Sequence, residues 1–181
     1  MITVREARLK EDAEQIRQID ASFTTHEIYT AHRDGDQLRL QLIPLEVPYT
    51  KRLPLEALEL KYRQWDFALV ATAEGRICGF VAATYEGWHR RLTIWHIYVD
   101  SPRRKQGIAR LLVNRAHAFG IIKGARNLWL ETSSMNVPAI RAYRKLGFEL
   151  CGLDTAFYHG SPASAETALF FARPVANDAS R

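Results

Sequence analysis

The feature that most constrains the fold is a strand, a glycine turn and a long helix that follow one another in residues 93–122. Residues 93–99 read TIWHIYV and are rich in β-branched and aromatic side chains, which favour strands. Pro102 ends this strand, and Gly107 opens a segment with helical periodicity. Its apolar side chains fall on one helical face: Ile108, Leu111, Leu112, Ala116 and Phe119. The pattern predicts a strand and a helix joined by a basic turn.

That turn reads R-x-x-G-x-A over residues 104–109 and is suited to binding a phosphate. The first N–H groups of a helix have no internal partner, and the helix dipole adds positive potential there. Small residues at Gly107 and Ala109 let a ligand approach the main chain. Four basic side chains surround the turn: Arg103, Arg104, Lys105 and Arg110. A solvated connection is the structural alternative, and neither G-x-x-x-x-G-K-[ST] nor G-x-G-x-x-G occurs in the chain.

The rest of the chain alternates between strand and helix patterns without an internal repeat or a linker. Strands are predicted at residues 2–7, 23–32, 37–47, 67–73, 76–85, 127–132, 148–151 and 167–173. Helices are predicted at residues 10–20, 55–65 and 138–146. The dipeptides Asp34-Gly35 and Glu74-Gly75 predict two hairpins. We therefore expect one domain over residues 1–174, followed by a frayed tail at residues 175–181.

Composition excludes several classes of protein. Of 181 residues, 47% are hydrophobic and 25% charged, as in ordinary soluble domains, and no apolar run approaches the ~20 residues of a membrane helix. The first residues lack an apolar signal core, so we expect a cytoplasmic protein with Cys78 and Cys151 as buried thiols rather than a disulfide. The histidines show no metal-ligand spacing, and we expect no metal. The net charge of +5 is spread along the chain, which argues against a nucleic-acid partner and fits in part a phosphorylated cofactor.

The order of motifs over residues 67–173 resembles the GNAT N-acyltransferase superfamily. The motifs are a strand, R-x-x-G-x-A, a helix, a strand, N-x-x-A-x-x-x-Y from Asn136 to Tyr143, and Gly147-Phe148. Within that superfamily the chain is similar to streptothricin acetyltransferases over nearly its whole length. Five segments carry this second likeness: ASFTT, GWHRRLT, LWLET, NVPAIRAYRKLGF and LCGLDTAFY.

The resemblance implies an α+β fold of GNAT type and acetyl-CoA as co-substrate. Its central sheet would be mixed, mostly antiparallel, splayed near its middle and flanked by helices. The pantetheine arm would pair with the main chain of Ile97, Tyr98 and Val99, as an added strand does. The pyrophosphate would rest on the amides of Arg104, Lys105, Gln106, Gly107, Ile108 and Ala109. Asn136, Ala139 and Tyr143 would also contact the cofactor.

The resemblance also implies direct attack of a primary amine on the acetyl thioester in a ternary complex. Tyr143 would be the general acid for the departing thiolate, or its ring would only pack in the core. Asn136 would contact the cofactor, cap its helix, or do both. Glu131 is one candidate for the base, although a glutamate at a strand end is often merely exposed. His96 is another, although a histidine held by structural hydrogen bonds is an equal alternative.

At one position the chain departs from streptothricin acetyltransferases, which carry an adjacent acidic pair where this chain has Trp95-His96. Trp95 and His96 would present an aromatic face and a titratable ring to the acceptor. Asp154 and Tyr158 match the relatives and would line the amine pocket, although Asp154 also fits a turn cap. The partner we expect is a small-molecule amine such as streptothricin. Alternatives are a protein, polyamine or aminoacyl-tRNA amine, or a non-catalytic acetyl-CoA-binding module; a homodimer stays open.

Overall fold

A computed structural model of the protein describes residues 1–58 and 65–175 as nine strands and three helices, with 3-10 turns at Leu55–Ala57 and Ser101–Arg103. The first elements are β1 (Ile2–Glu6), α1 (Leu9–Arg17), β2 (Phe23–Asp34), β3 (Gln37–Lys51), β4 (Phe67–Ala73) and β5 (Arg76–Glu86). They are followed by β6 (Arg91–Val99), α2 (Ile108–Lys123), β7 (Asn127–Ser133), α3 (Val137–Lys145), β8 (Glu149–Asp154) and β9 (Ala168–Pro174).

Seven strands form one sheet in the order β1-β4-β5-β6-β7-β9-β8, and β2 and β3 form a separate two-stranded sheet. The pairs β1–β4, β4–β5, β5–β6, β8–β9 and β2–β3 are antiparallel. The predicted α+β class, with a mostly antiparallel sheet and flanking helices, is therefore confirmed. The splay near the middle of the sheet stays a prediction.

The chain divides into two compact units. The first comprises the described residues of 1–22, 52–129 and 174–181, and the second comprises residues 23–51 and 130–173. In the first unit, α1 and α2 pack on opposite faces of β5, because successive side chains of a strand alternate. Phe80 and Ala82 join Ile16 of α1 in a buried cluster, whereas Gly79 faces Ile108 of α2. This two-sided burial explains why β5 is almost continuously apolar.

Local turn chemistry produces the predicted hairpins. Gly35 has φ 57° between β2 and β3, and Gly75 has φ 77° between β4 and β5. A left-handed backbone is unstrained for glycine, and two-residue turns of this kind match the twist of the strands they join. Both hairpin predictions are confirmed, with β2 and β3 longer than expected.

Three local predictions are corrected by the structure. The helix expected at residues 55–65 begins only as a 3-10 turn, after which Leu58 is extended with ψ 114°; residues 59–64 lie outside the described residues. Cys78 is buried as predicted, but Cys151 is exposed, because it lies on β8, the last strand of the sheet, whose residues 149–151 are all exposed. Neither cysteine forms a disulfide. Val175 is not frayed: it is buried and its N–H donates to Arg126 O at 2.9 Å; residues 176–181 are outside the described part.

Candidate active site

The turn between β6 and α2 presents free N–H groups at the start of a long helix. Gly107 is the N-cap of α2, and no side chain caps this end. Within the described residues, the four N–H groups of residues 107–110 donate neither to a carbonyl nor to a side chain. Together with the helix dipole, this arrangement favours an anion. The predicted strand, turn and helix are thus confirmed, with the helix from Ile108 to Lys123.

Gly107 meets a conformational demand of this turn. Its φ is 82°, and a Cβ built on it would meet no atom within 4 Å. The side of the loop that a side chain would occupy is therefore open, while any other residue would adopt the left-handed backbone at a cost of ~1–2 kcal/mol. Lys105 also has a positive φ, of 62°. Lys105 is thus one of the few described non-glycine residues with a left-handed backbone.

Arg104 holds the turn in place through the main chain. Its Nη1 donates to Ser22 O at 2.6 Å and its Nε to Val99 O at 3.2 Å. Asp20 supports the same region, because its O accepts from Ser101 N at 2.9 Å. The sequence predicts that Arg103 and Arg104 surround the turn with positive charge, but both guanidinium groups already have partners. That of Arg104 donates to carbonyl groups, and Arg103 Nη2 donates to the Glu74 carboxylate at 2.6 Å.

Trp95 and His96 lie at a β-bulge of β6. Ala82 pairs with His96 and Ala83 with Ile94, so Trp95 is the extra residue and its side chain is 50% exposed. His96 Nδ1 lies 3.0 Å from Tyr98 Oη, and its ring meets that of Trp65 edge-on with centroids 5.1 Å apart. The hydrogen-bonded, structural interpretation of His96 is therefore realised, and its role as a base stays a prediction.

The other strand residues of the predicted cofactor site are placed by the β5–β6 ladder. Val81 pairs with Ile97, Phe80 with Tyr98, and Gly79 with Val99. One edge of residues 97–99 is thus satisfied within the sheet. The pairing of this segment with pantetheine stays a prediction.

In the second unit, Asn136 and Tyr143 lie on α3, and both structural interpretations of them hold. Asn136 is the N-cap, with its Oδ1 accepting from Ala139 N at 3.3 Å. The ring of half-buried Tyr143 packs near Phe148 and Phe171, with centroids 6.0 and 6.3 Å away. These contacts fix the backbone and the ring, and they leave the predicted cofactor and acid roles to experiment.

Glu131 and Tyr158, predicted for different roles, are brought together in this unit. The Tyr158 hydroxyl donates to Glu131 Oε1. Burial raises the pKa of the Glu131 carboxyl above its ordinary value, and the Tyr158 hydrogen bond opposes that rise. Burial and the neighbouring carboxylate raise the pKa of the Tyr158 hydroxyl, so it remains a donor. A half-buried carboxylate with a raised pKa is suited to proton transfer near neutral pH.

Asp154 adopts its structural alternative: its Oδ1 accepts from Ala156 N at 2.7 Å and caps a turn. Sequence reasoning missed Lys51, Ser133 and Glu166, which form a part-buried ionic network near Glu131. Glu166 follows a polar loop, and nothing in its local sequence distinguishes it from a solvated glutamate.

Neither of two sizeable cavities in the first unit includes a predicted site residue. One, of about 470 Å³, has Arg17, Asp20 and Arg52 in its walls, and the other, of about 590 Å³, lies beside Phe67 and Phe119. Within residues 1–58 and 65–175, no cluster of three or more His, Cys, Asp or Glu side chains is arranged to hold a metal ion. None of the described helices has both the length and the apolarity to cross a bilayer.

The fold and the turn at α2 define the class of protein. The family model described as the acetyltransferase (GNAT) family matches residues 36–148, and the chain belongs to that family. The predicted acetyl-CoA-dependent N-acetyltransferase class is thereby confirmed.

Its relatives include enzymes for one kind of antibiotic. The chain is 37% identical over 173 residues to streptothricin acetyltransferase of Streptomyces lavendulae, covering 90% of each chain. It matches the crystal structure of nourseothricin acetyltransferase with a TM-score of 0.89 and 38% identity, over 97% of this chain and 99% of that one. It shares its fold with a Bacillus anthracis protein solved in complex with acetyl coenzyme A, with a TM-score of 0.79 and 24% identity over 96% and 98% of the two chains.

Proposed function

We propose that the protein transfers the acetyl group of acetyl-CoA to a primary amine of a streptothricin-class antibiotic. The use of acetyl-CoA is supported by the N–H groups of residues 107–110, which have no hydrogen-bond partner among the described residues. The similarity to streptothricin acetyltransferase of Streptomyces lavendulae over 90% of both chains supports the acceptor half. Both halves belong to one reaction, in which the amine attacks the thioester within a ternary complex.

The turn at residues 104–109 would bind the pyrophosphate of acetyl-CoA. Gly107 leaves open space, and the side chains of Lys105 and Gln106 are exposed. Arg104 contributes by holding the loop through Ser22 and Val99. Contrary to the prediction for its amide, the Arg104 N–H donates to Ser101 O at 3.3 Å, which leaves the later amides of the turn for the pyrophosphate. Residues 97–99 would pair with pantetheine, and Asn136 and Ala139 would contact it through the start of α3. Bound acetyl-CoA supplies an activated acyl group.

Glu131 is the base that we favour. A primary amine with a pKa of ~10.4 is protonated at pH 7, and deprotonating it costs roughly 4–5 kcal/mol. Glu131 carries a carboxylate that burial makes more basic, and Tyr158 fixes one of its oxygens. The carboxylate would first attract the ammonium group and then accept its proton. Trp95, in the first unit, would present an exposed aromatic face to a cationic acceptor.

Tyr143 would donate a proton to the leaving thiolate. Because its ring packs near Phe148 and Phe171, Tyr143→Phe keeps the packing and removes only the hydroxyl. We expect kcat to fall about 100-fold with little change in acetyl-CoA affinity, as for loss of a general acid. Steady-state kinetics and calorimetry measure the two quantities. Tyr29→Phe is the control and should change kcat less than twofold. It removes a hydroxyl on β2 that accepts from Arg144, the neighbour of Tyr143 on α3. Unchanged kcat in Tyr143→Phe would reject the role.

Mass spectrometry of candidate amines tests the proposal directly. The protein is incubated with acetyl-CoA and either a streptothricin mixture, a polyamine, a lysine-rich peptide or aminoacyl-tRNA. We expect a gain of one acetyl group on streptothricin, with equimolar release of free CoA. If only another acceptor were acetylated, the substrate would belong to the class of that acceptor and not to the streptothricins. Binding of acetyl-CoA without acetylation of any amine would identify a non-catalytic module.

We also propose a cytoplasmic location, where acetyl-CoA is supplied. Both cysteines are free thiols, as is usual in a reducing compartment. Fractionation of producing cells, with detection of the protein and its activity, tests this location.

A further inference from the structure

One face of β7 carries a carboxylate and a hydroxyl. Leu130 and Thr132 are buried on the other face, while Glu131 and Ser133 share this one. Residues two apart in a strand lie about 7 Å from each other on the same side. Whatever binds Ser133 is therefore also close to the Glu131 carboxylate.

Ser133 binds a second carboxylate, that of the buried Glu166. Glu166 is only 6% exposed, and its Oε2 accepts from Ser133 Oγ. Its Oε1 accepts from Lys51 Nζ at the end of β3, whose side chain is 23% exposed. Both oxygens of Glu166 are thus used, and its charge is balanced by Lys51. A buried ion pair of this kind is costly when one partner is lost, because the other keeps an uncompensated charge.

Glu131 differs from Glu166 in its partners. Its Oε1 accepts from Tyr158, and in the described part of the chain it makes no other hydrogen bond and no ion pair. The groups that face it are Tyr158, Glu166 and Lys51, of which Glu166 raises and Lys51 lowers the pKa of Glu131. The structure therefore pairs one carboxylate fully and leaves the second available.

We propose that Lys51 and Glu166 are positioning residues that balance each other's charge beside Glu131 and so keep Glu131 as the available carboxylate for the acceptor amine. This proposal rests on the proposed function, in which Glu131 is the base. Lys51 and Glu166 act through Glu131, and Ser133 ties Glu166 to the same strand.

Two variants distinguish this role from a purely structural one, because they act on Glu131 in opposite directions. Lys51→Met leaves Glu166 as an unbalanced negative charge, which favours the protonated form of Glu131. Glu166→Gln leaves Lys51 as an unbalanced positive charge, which favours the ionised form. If the Lys51–Glu166 ion pair only stabilised the fold, both variants would lose activity but their pH profiles would not shift in opposite directions.

The experiment measures kcat/KM for the antibiotic against pH, together with the glutamate δ-carbon NMR titration of each variant. The Glu131 signal is assigned by its loss in Glu131→Gln. We expect the acidic limb of the Lys51→Met profile to lie at higher pH than the wild-type limb, and that of Glu166→Gln at lower pH. The two variant limbs should lie about one pH unit apart. Lys51→Arg keeps the charge and should keep the wild-type limb.

The double variant Lys51→Met/Glu166→Gln leaves neither charge unpaired and should return the limb towards its wild-type position. It also serves if either single variant fails to fold. The proposal would be overturned if the acidic limbs of the two single variants shifted in the same direction. It would also be overturned if both limbs coincided with the wild-type limb although the NMR signal of Glu131 titrates. If the wild-type enzyme acetylates no streptothricin, the proposed function fails, whereas the NMR titrations still decide the charge coupling.

Discussion

Asp12 places a buried negative charge in the first turn of α1, where Arg8 supplies no side-chain cap. Its oxygens accept from Arg5 Nη1 and Nη2 at 2.7 and 2.8 Å, and from Arg8 N at 2.8 Å. The carboxylate therefore satisfies a free N–H of the helix and pairs two elements of the first unit. The Arg5 hydrogen bonds are the main reason that the pKa of Asp12 lies below its ordinary value of 3.8.

Asp12→Asn should lower the free energy of unfolding by about 2 kcal/mol at pH 7, because a charge-assisted hydrogen bond is worth ~1.5–3 kcal/mol. Since folding lowers the pKa, this stabilisation is complete above pH 3.8 and is lost as the pH falls through the folded-state pKa. Urea unfolding from pH 7 to pH 3 measures the difference. Glu11→Gln removes a charge that is 68% exposed and should change the stability little. A difference that stays constant down to pH 3 would contradict this account.

At the scale of elements, α2 is held against the sheet by close approach at Gly79. A Cβ on Gly79 would lie 2.8 Å from Ile108 Cγ2 and 3.3 Å from both Ala71 Cβ and Leu112 Cδ1. Ile108 and Leu112 are 2% and 0% exposed, so neither can swing into solvent. The missing side chain in β5 therefore sets how near the N-terminal end of α2 lies to the strand.

Gly79→Ala should destabilise the protein, because overpacking costs ~1–3 kcal/mol and exceeds the ~0.5–1 kcal/mol that alanine gains over glycine in a strand. Chemical unfolding gives the change. Gly152→Ala in β8 is the matched control, since a Cβ there would meet its nearest atom, Phe170 Cδ2, at an ordinary 3.4 Å. Stability equal to wild type in Gly79→Ala would show that α2 can shift without cost.

The elements that sequence predicts well are those fixed by local chemistry. The hairpins at Gly35 and Gly75 and the start of α2 at Gly107 depend on a few neighbouring residues whose backbone requirements are specific. The Glu166 network was not predictable, because it joins residues 115 and 33 positions apart along the chain. Likewise, the alternation in β7 shows which face Glu131 takes, but not that Tyr158 reaches it.

For the whole molecule, a net charge of +5 does not describe the charge available at the turn before α2. Arg103 is engaged with Glu74 and Arg104 with carbonyl groups, so the main-chain N–H groups would carry part of the binding at the predicted anion site. The excess of basic residues fits in part an anionic ligand, and the site at the start of α2 stays a prediction. Binding at that turn should stabilise the folded chain, because the unfolded chain has no such cradle.

Acetyl-CoA at about 100 times its Kd should therefore add ~2.7 kcal/mol to the stability of the wild-type protein. For a chain of this size that is a rise in Tm of roughly 5–10 °C. Gly107→Ala and Gly35→Ala both place alanine at a positive φ, of 82° and 57°, where nothing lies within 4 Å. Each should lose ~1–2 kcal/mol without ligand, but a tenfold weaker Kd in Gly107→Ala would leave only ~1.4 kcal/mol of ligand stabilisation at the same concentration. Thermal unfolding with and without acetyl-CoA separates the two effects, since strain lowers the Tm of both variants whereas only Gly107→Ala should lose half of the ligand-induced rise. An equal ligand-induced rise in Tm in both variants would place the diphosphate away from the start of α2. The assignment of the cofactor to this turn would then be wrong.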